Sequence, residues 1–196
     1  MRIVGGALRG RRLKAAPARG TRPTSDRVRE AIASALQARG LLMGARVLDL
    51  FAGTGALGLE ALSWGAVALV AIDRDRRALQ CIDENARALG LEGRVSALQL
   101  DLLGPGAKLG ARLQQSGLAP FTLVFCDPPY TLVQSAAATL ARLCEHGLLA
   151  PGAAVVFEHR HDDPPERPEC FTELAAYRYG DSAVALWETI AEAPES

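Results

Sequence analysis

The sequence is poor in the residues that build metal centres and disulfide frameworks. It holds four cysteines among 196 residues, and only three histidines. The cysteines are widely spaced and form no C-x-x-C pair. Disulfide scaffolds and zinc ribbons need closer cysteines, so both classes are disfavoured and no metal site is predicted. Isolated cysteines suit a reducing compartment, and we expect a cytoplasmic protein.

Long apolar runs are also missing. The most apolar stretch, residues 55–72, is interrupted by Glu60 and by Trp64-Gly65 and predicts a helix followed by a strand, not a membrane span. The basic N-terminus is not followed by the apolar segment of a secretory signal. With 49% hydrophobic and 22% charged residues, the sequence predicts one soluble globular domain that does not bind membranes.

The chain has no net charge, but its charges are unevenly distributed. Residues 1–30 hold nine basic side chains against two acidic ones, so this segment has a positive excess of seven and the remainder an equal negative excess. A basic arm on an acidic body predicts a polyanionic partner. Because the arm has few aromatic residues, we expect it to contact phosphates instead of stacking on bases.

Strand and helix patterns alternate along the middle of the chain. Apolar runs predict five strands, at residues 46–51, 67–72, 94–100, 121–126 and 153–157. Helical periodicity predicts the segments between them, and this alternation is typical of a mostly parallel, doubly wound sheet. Two further strands, 170–179 and 182–190, are separated only by Gly180-Asp181, which allows an antiparallel hairpin. The predicted fold is therefore α/β and Rossmann-like, with a mostly parallel seven-stranded sheet and a C-terminal antiparallel hairpin.

The N-terminal segment predicts less regular structure. Residues 2–4 and 8–13 are expected to form a short hairpin around Gly5-Gly6. Pro23-Thr24-Ser25-Asp26 predicts the start of a helix that Gly40 ends.

A glycine-rich loop follows the first predicted strand of the sheet. Gly53-x-Gly55-x-x-Gly58 opens a helix, and Asp73 follows Gly53 by twenty residues, at the end of the next strand. Glycines let a ligand approach the backbone, and a carboxylate at that position can accept hydrogen bonds from a ribose. Asp49, inside the strand, can either accept from a ligand amine or cap backbone groups. The pattern predicts a nucleoside-containing cofactor.

The residues Asp127-Pro128-Pro129-Tyr130 follow the fourth predicted strand. In open α/β sheets, ligands bind at the carboxyl ends of the strands. The two prolines fix two φ angles and remove two donors, so the turn is stiff and presents a carboxylate, bare carbonyls and an aromatic ring. Such a turn can grip a flat group that carries an amine, although the four residues alone also suit an ordinary strand-to-helix turn.

Together these motifs resemble the class I S-adenosylmethionine-dependent amino-methyltransferases, and more specifically the RsmD family. The resemblance includes the motif Asp49 to Gly55, the Asp-Pro-Pro-Tyr turn, and three N-terminal segments, 2–6, 9–13 and 22–30. RsmD enzymes methylate the exocyclic N2 amine of one guanine in 16S ribosomal RNA of the small subunit. The resemblance covers residues 2–160, and residues 22–30 are its most specific part.

The resemblance implies a site for S-adenosylmethionine, whose product is S-adenosylhomocysteine. The implied cofactor-binding residues are Asp49, Gly53, Thr54, Gly55, Asp73 and Asp101. Within this set Asp73 is expected at the ribose, Asp101 beside the adenine, and Asp49, Gly53 and Gly55 at the methionine end. Three residues are implied in catalysis: Asp127 and the Pro128 carbonyl accept hydrogens from the target amine, and the Tyr130 ring stacks on the base.

The chain shows no internal repeats or long linkers, which predicts one domain with an N-terminal extension. Residues 1–40 are expected to be an RNA-binding extension, and residues 41–196 the methyltransferase domain. The implied RNA-binding residues are Arg9, Arg11, Arg12, Arg22, Arg27 and Arg29. The expected partner is small-subunit ribosomal RNA, naked or within a ribosomal particle, and the expected state is a monomer.

Three alternatives remain open at this point. An amino-methyltransferase of this class can also act on adenine or on a protein glutamine. A nicotinamide-dependent oxidoreductase fits the glycine loop, but the chain lacks a second nucleotide-binding half and would leave the Asp-Pro-Pro-Tyr turn without a role. A non-catalytic RNA-binding assembly factor fits the basic arm.

Overall fold

A single seven-stranded sheet organises the structure, a computed structural model that describes residues 1–15, 26–104 and 107–190. Its strands are β1 (Arg46–Leu50), β2 (Ala68–Asp73), β3 (Val95–Gln99), β4 (Phe121–Cys126), β5 (Leu149–Arg160), β6 (Phe171–Tyr179) and β7 (Ser182–Thr189). The helices of the described residues are α1 (Asp26–Ala38), α2 (Ala56–Ser63), α3 (Arg76–Leu89), α4 (Ala107–Gln115) and α5 (Val133–Glu145).

The strand order is β3-β2-β1-β4-β5-β7-β6. Strands β1 to β5 are parallel, whereas β7 is antiparallel to both of its neighbours, β5 and β6. The predicted α/β fold with a mostly parallel sheet and a C-terminal hairpin is therefore confirmed. Because β7 enters between β5 and β6, the hairpin extends the sheet at one edge.

Helices cover both faces of the sheet, as the buried β1 and β4 runs require. On one face, α1, α2 and α3 contribute side chains such as Leu36, Leu59 and Ile82 to a core that also includes Ile3 and Leu13 of the N-terminal segment. On the other face, α4 and α5 pack residues such as Leu113 and Leu140 against the sheet. In β1, Val47 faces the first core and Leu48 the second, the alternation expected of a strand.

Strand β5 is longer than the sequence predicts. The apolar run ends at Phe157, but the strand continues to Arg160 because Glu158, His159 and Arg160 pair with β7. Glu158 and His159 are buried, although a histidine just after an apolar run ordinarily suggests a solvated turn. Cross-strand pairing, which hydrophobic patterning does not reveal, decides where β5 ends.

The N-terminal segment docks on the domain. Ile3 N donates to Arg11 O at 2.9 Å and Leu13 N to Met1 O at 3.0 Å, so the expected pairing of the two short segments is present. The predicted helix start at Pro23-Thr24-Ser25 lies outside the described residues. No helix in the described ranges is long and apolar enough to cross a membrane.

The order of the strands changes direction between β1 and β4. The chain moves outward from β1 to β2 and β3, then returns to the other side of β1 with β4 and β5. At such a switch point the loops after neighbouring strands diverge and leave a crevice. Leu50 and Cys126 are paired at the ends of β1 and β4, so the glycine loop and the Asp-Pro-Pro-Tyr turn leave the sheet side by side at this crevice.

Candidate active site

The glycine loop has an unusual backbone. Phe51, Gly53 and Gly55 have φ angles of 61°, 54° and 74°. These lie in the left-handed region, which residues other than glycine rarely adopt. A Cβ on Gly55 would also lie 2.9 Å from a side-chain carbon of Ile82. Both the φ angle and the lack of space therefore require glycine at this position. The loop is therefore held in a conformation that exposes its backbone at the N-terminus of α2.

Asp49 lies beneath this loop. Its side chain is in β1, the residue is only 2% exposed, and Oδ2 accepts a hydrogen bond from Gly58 N at 3.1 Å. Any Cβ on Gly58 would lie 3.1 Å from that oxygen and 2.6 Å from Leu69, so only glycine allows this approach. Burial, helped by the negative charges of Asp127 and Asp73, raises the pKa of Asp49 to about 8. A cation placed beside this carboxyl would favour its ionised form.

Asp73 is the last residue of β2, and Asp101 lies two residues beyond the end of β3. Asp73 Oδ2 accepts from Gly53 N at 2.9 Å, and its Oδ1 accepts from Asp75 N at 2.8 Å, so this carboxylate fixes the glycine loop to the start of α3. Asp101 is exposed, and its Oδ1 accepts from Leu103 N at 3.1 Å. Because Leu100 N donates to Asp73 O at 3.2 Å, Asp101 lies at the same edge of the sheet as Asp73.

The Asp-Pro-Pro-Tyr turn adjoins this group of carboxyls. Asp127 is partly buried and Pro128 is buried, whereas Tyr130 is 46% exposed. Leu132 N donates to Pro129 O at 2.8 Å and closes a 3₁₀ turn that fixes the position of the tyrosine. The negative charge of Asp127 acts on the pKa of Asp49, so the turn and the strand beneath the glycine loop share one electrostatic environment.

Arg160 lies beside the tyrosine ring. Its guanidinium carbon is 5.9 Å from the centroid of Tyr130, a distance typical of a cation–π contact. Nε and one terminal nitrogen of Arg160 each donate to an Asp162 carboxylate oxygen at 2.9 Å. Arg160 is exposed and is the last residue of β5, where it faces the Asp-Pro-Pro-Tyr turn.

The six predicted RNA-binding arginines have different environments. Four of them are exposed: Arg9, Arg11, Arg12 and Arg27. Arg22 lies outside the described residues. Arg29 was expected to bind RNA, and this expectation is wrong because the residue is only 1% exposed. Its guanidinium donates to Asp26 at 2.9 Å and to the carbonyl of Arg2 at 2.8 Å, which ties α1 to the N-terminal segment.

Sequence reasoning missed the contacts that hold the N-terminal segment. Glu60, in the apolar helix α2, accepts from Val4 N at 3.0 Å and from Gly5 N at 2.7 Å. Ser63 Oγ donates to Gly5 O at 2.6 Å and accepts from Leu8 N at 2.9 Å. The sequence feature that could have revealed these contacts is an acid within an otherwise apolar helix, since a buried carboxylate requires partners.

A second missed residue, Asn85 of α3, contacts two segments at once. Its Oδ1 accepts from Lys14 N at 2.7 Å, and its Nδ2 donates to Lys14 O at 3.2 Å and to Thr54 O at 3.3 Å. Asn85 is 1% exposed, in the apolar stripe of the helix, where an amide is expected only if it is hydrogen-bonded. No group of three or more His, Cys, Asp or Glu residues suited to a metal ion occurs in the part of the chain that the structure describes.

Comparison with known proteins now identifies the family. The model of the family described as conserved hypothetical protein 95 matches residues 1–188. Ribosomal RNA small subunit methyltransferase D of Haemophilus influenzae is 31% identical over 188 residues, which are 96% of this chain and 93% of that protein. The chain belongs to this family, the RsmD family. The resemblance read from the sequence motifs is therefore confirmed.

Solved structures share the fold of this chain. A hypothetical protein of Thermus thermophilus is 32% identical and superposes with a TM-score of 0.74 over 97% of this chain and 99% of that one. An RNA methyltransferase of Salinibacter ruber, solved in complex with S-adenosyl-L-homocysteine, is 19% identical, with a TM-score of 0.64 over 89% of this chain and 98% of that one. The second likeness concerns the fold alone, which is that of the Rossmann-like methyltransferases.

Proposed function

We propose that the protein transfers a methyl group from S-adenosylmethionine to the exocyclic N2 amine of a guanine in 16S ribosomal RNA. The observation that carries this proposal is the adjacency of two motifs. The glycine loop after β1 and the Asp-Pro-Pro-Tyr turn after β4 leave the sheet side by side, because Leu50 and Cys126 are paired. A cofactor bound by one motif would therefore lie next to an amine gripped by the other.

The residues at the crevice suit a cationic nucleoside cofactor. S-adenosylmethionine, when bound, supplies an electrophilic methyl group on a sulfonium centre. Asp49 is buried and has a raised pKa, and an ammonium group of the cofactor placed beside it would favour its ionised form. Asp73 holds Gly53 in place and retains acceptor capacity for a ribose hydroxyl, since each carboxylate oxygen can accept more than one hydrogen bond. Thr54, Gly55 and Asp101 complete the proposed cofactor set.

The role proposed for Asp127 and Pro128 follows from the chemistry of guanine. The lone pair of its N2 amine is delocalised into the ring, so the amine is a poor nucleophile. Two acceptors aimed at the amine hydrogens, the Asp127 carboxylate and the Pro128 carbonyl, favour a pyramidal nitrogen and localise the lone pair. Holding this nitrogen in line with the methyl group would supply much of the rate enhancement.

The bonds, electron pair and proton of the proposed transfer are all accounted for without a metal or a covalent enzyme intermediate. The amine nitrogen forms the new bond to carbon, and the electron pair of the broken bond stays on the departing sulfur. The extra proton on the methylated amine leaves to Asp127 or to water. The negative charge of Asp127 also stabilises the positive charge that develops on the nitrogen.

Access to the amine requires the guanine to leave its stack. The Tyr130 ring, 46% exposed, offers a flat surface for an unstacked base. The contact of Arg160 with this ring and its two hydrogen bonds to Asp162 fix the guanidinium at the mouth of the site. The N–H groups of Arg160 that do not bond to Asp162 can donate to an RNA phosphate next to a flipped nucleotide.

The basic arm supplies the proposed RNA surface. Arg9, Arg11, Arg12 and Arg27 are exposed and can contact phosphates, and Arg22 stays in the proposal as a sequence prediction. Arg29 is withdrawn from the set because its guanidinium is buried and bound to Asp26. We propose that residues 1–40 present this surface to RNA, that residues 41–196 carry the chemistry, and that the protein acts as a cytoplasmic monomer.

The identity of the methylated product tests this proposal. Purified protein is incubated with methyl-labelled S-adenosylmethionine and small-subunit RNA, either naked or in ribosomal particles, and the nucleosides are analysed by mass spectrometry. We expect label in N2-methylguanosine. Label in N6-methyladenosine, or in glutamine of a ribosomal protein, would replace the guanine assignment with one of the alternative amines. Binding of RNA without transfer would favour the assembly factor.

A further inference from the structure

One buried side chain bonds both to the N-terminal segment and to the glycine loop. Asn85 Oδ1 accepts from Lys14 N at 2.7 Å, and Nδ2 donates to Lys14 O at 3.2 Å and to Thr54 O at 3.3 Å. Lys14 and Thr54 are separated from Asn85 by 71 and 31 residues, so one amide joins three distant parts of the chain. In the N-terminal segment and the glycine loop the partners of this amide are backbone groups, so these contacts report the position of each segment. Within α3, Nδ2 also donates to Cys81 Sγ at 3.6 Å.

Further contacts hold the same end of the N-terminal segment on α3. Cys81 Sγ donates to Lys14 O at 3.3 Å, and Arg11 donates to Ala88 O at 2.6 Å. The ammonium of Lys14 pairs with Glu84 at 2.8 Å on the surface. These bonds anchor the segment to the helix, whereas the bond from Asn85 to Thr54 O extends the connection to the glycine loop.

The burial of Asn85 makes this connection energetically significant. The residue is 1% exposed, so water cannot replace a partner that moves away. A buried amide that loses one partner pays the cost of an unsatisfied polar group. A shift of the glycine loop therefore changes the free energy of docking of residues 11–15, and a shift of those residues changes the free energy of the loop.

We propose that Asn85 is a positioning residue that couples RNA binding to cofactor binding. The inference rests on the proposed function, in which residues of the glycine loop contact S-adenosylmethionine and the basic arm contacts RNA. Occupation of the loop fixes Thr54 O in the place where Asn85 donates to it, and this stabilises the docked arm. Because linkage is reciprocal, RNA bound to the docked arm raises cofactor affinity by the same factor.

Calorimetry with S-adenosylhomocysteine and an RNA fragment carrying the target guanine tests the coupling. We measure the dissociation constant of S-adenosylhomocysteine with and without saturating RNA, and that of RNA with and without saturating S-adenosylhomocysteine. In the wild type we expect both ratios to be equal and about fivefold or larger. In Asn85→Ala both ratios should fall to about one, a change that a merely structural role does not require.

Glu84→Ala is the matched control. It lies next to Asn85 on α3 and removes the surface ion pair with Lys14, but it leaves the bonds from Asn85 to Lys14 and to Thr54 intact. We expect this variant to keep the wild-type ratios. An unchanged ratio in Asn85→Ala, or an equal loss in Glu84→Ala, would overturn the role of Asn85. Wild-type protein that binds both ligands with ratios of one would overturn the coupling and leave the proposed function standing, whereas absence of S-adenosylhomocysteine binding would contradict the proposed function.

Hydrogen exchange of the wild type gives a second test that does not depend on the folding of a variant. The amide of Lys14 donates to Asn85, so its exchange reports docking of the arm. We expect saturating S-adenosylhomocysteine to slow exchange at residues 11–15, which are distant in sequence from the proposed cofactor contacts. Unchanged exchange at these amides, with slowed exchange in the glycine loop, would contradict the coupling.

Discussion

Gly58 N donates a hydrogen bond to the Oδ2 atom of Asp49 at 3.1 Å, and this bond partly offsets the burial of the carboxyl. Burial still raises the pKa of Asp49 to about 8. The carboxyl therefore holds its proton near pH 6 in the free protein, and a cation bound beside it would favour loss of that proton. This relationship leads to a prediction about the pH dependence of cofactor binding.

S-adenosylmethionine affinity should rise as the pH is raised from about 6 towards 8, because binding at low pH must release the Asp49 proton. Calorimetry in buffers of different ionisation enthalpy should detect release of about one proton at pH 6. Asp49→Asn can still accept from Gly58 N, so it should fold, bind the cofactor more weakly and release no proton. Equal proton release by Asp49→Asn would assign the titration to another group.

The raised pKa of Asp49 also makes the free energy of unfolding depend on pH. In the unfolded chain Asp49 ionises near its ordinary pKa of 3.8, whereas in the folded protein the pKa is about 8. Between these values the folded state binds more protons, so this residue makes the free energy of unfolding fall as pH rises through that window. Asp49→Asn should therefore be stabilised relative to the wild type at pH 8 and less so at pH 5. Denaturant titrations at the two pH values measure this difference.

Asp127→Asn should lower the rate of methyl transfer about 100-fold or more, because it removes both the negative charge and the proton acceptor beside the amine. Its affinity for S-adenosylhomocysteine should change little. Asp163→Asn is a suitable control, since it neutralises an exposed acid just beyond β5 and outside the proposed turn. Equal single-turnover rates for the Asp127 variant and the wild type would remove this residue from the catalytic set.

Tyr130→Phe and Tyr130→Ala separate the ring from the hydroxyl. If the exposed ring stacks on the flipped base, the Phe variant should retain activity and the Ala variant should raise the KM for RNA about tenfold or more. The KM for S-adenosylmethionine should stay near the wild-type value in both. A loss of activity in the Phe variant would show that the hydroxyl itself participates.

Arg27 and Arg29 lie on either side of Val28 in the sequence, but their substitutions should have different effects. Arg27→Ala should weaken RNA binding and reduce the magnitude of the salt slope by about 0.7 to 0.9, with little effect on thermal unfolding. Arg29→Ala should destabilise the fold by about 2 kcal/mol, because it removes charged hydrogen bonds to Asp26 and to the Arg2 carbonyl. Thermal melts and filter binding over a range of salt concentrations measure the two effects. Equal behaviour of the variants would contradict the assignment of Arg29 to the protein interior.

The sheet and its crevice could be predicted because they depend on local patterns. The apolar run 121–126 coincides with β4, and Gly53-x-Gly55 marks a loop whose φ angles require glycine. Alternation of strands and helices limits the topology to a doubly wound sheet, and this places Asp127 at the same edge as Asp73. The carboxyl ends of these strands were thus the part of the molecule most open to inference from sequence.

The contacts of the N-terminal segment could not be predicted, because they join residues far apart in sequence. Glu60 accepts from Val4 and Gly5 across 56 and 55 residues, a pairing that no periodicity encodes. The burial of Arg29 could not be predicted either, because it depends on partners elsewhere in the fold. The buried residues of α1 are Arg29, Ile32, Ala33 and Leu36, which follow helical spacing. An arginine is ordinarily assigned to the surface, and only the arrangement of its partners shows otherwise.

The central claim is methylation of a guanine amine in small-subunit ribosomal RNA through the Asp127 turn. It is tested most directly by mapping modified guanines in this RNA from cells that lack the protein, and then restoring the modification with purified wild-type protein or Asp127→Asn. We expect one N2-methylguanosine to be absent from these cells, to return with the wild-type protein and S-adenosylmethionine, and to stay absent with the variant. A complete set of N2-methylguanosines in the deleted cells would contradict the account.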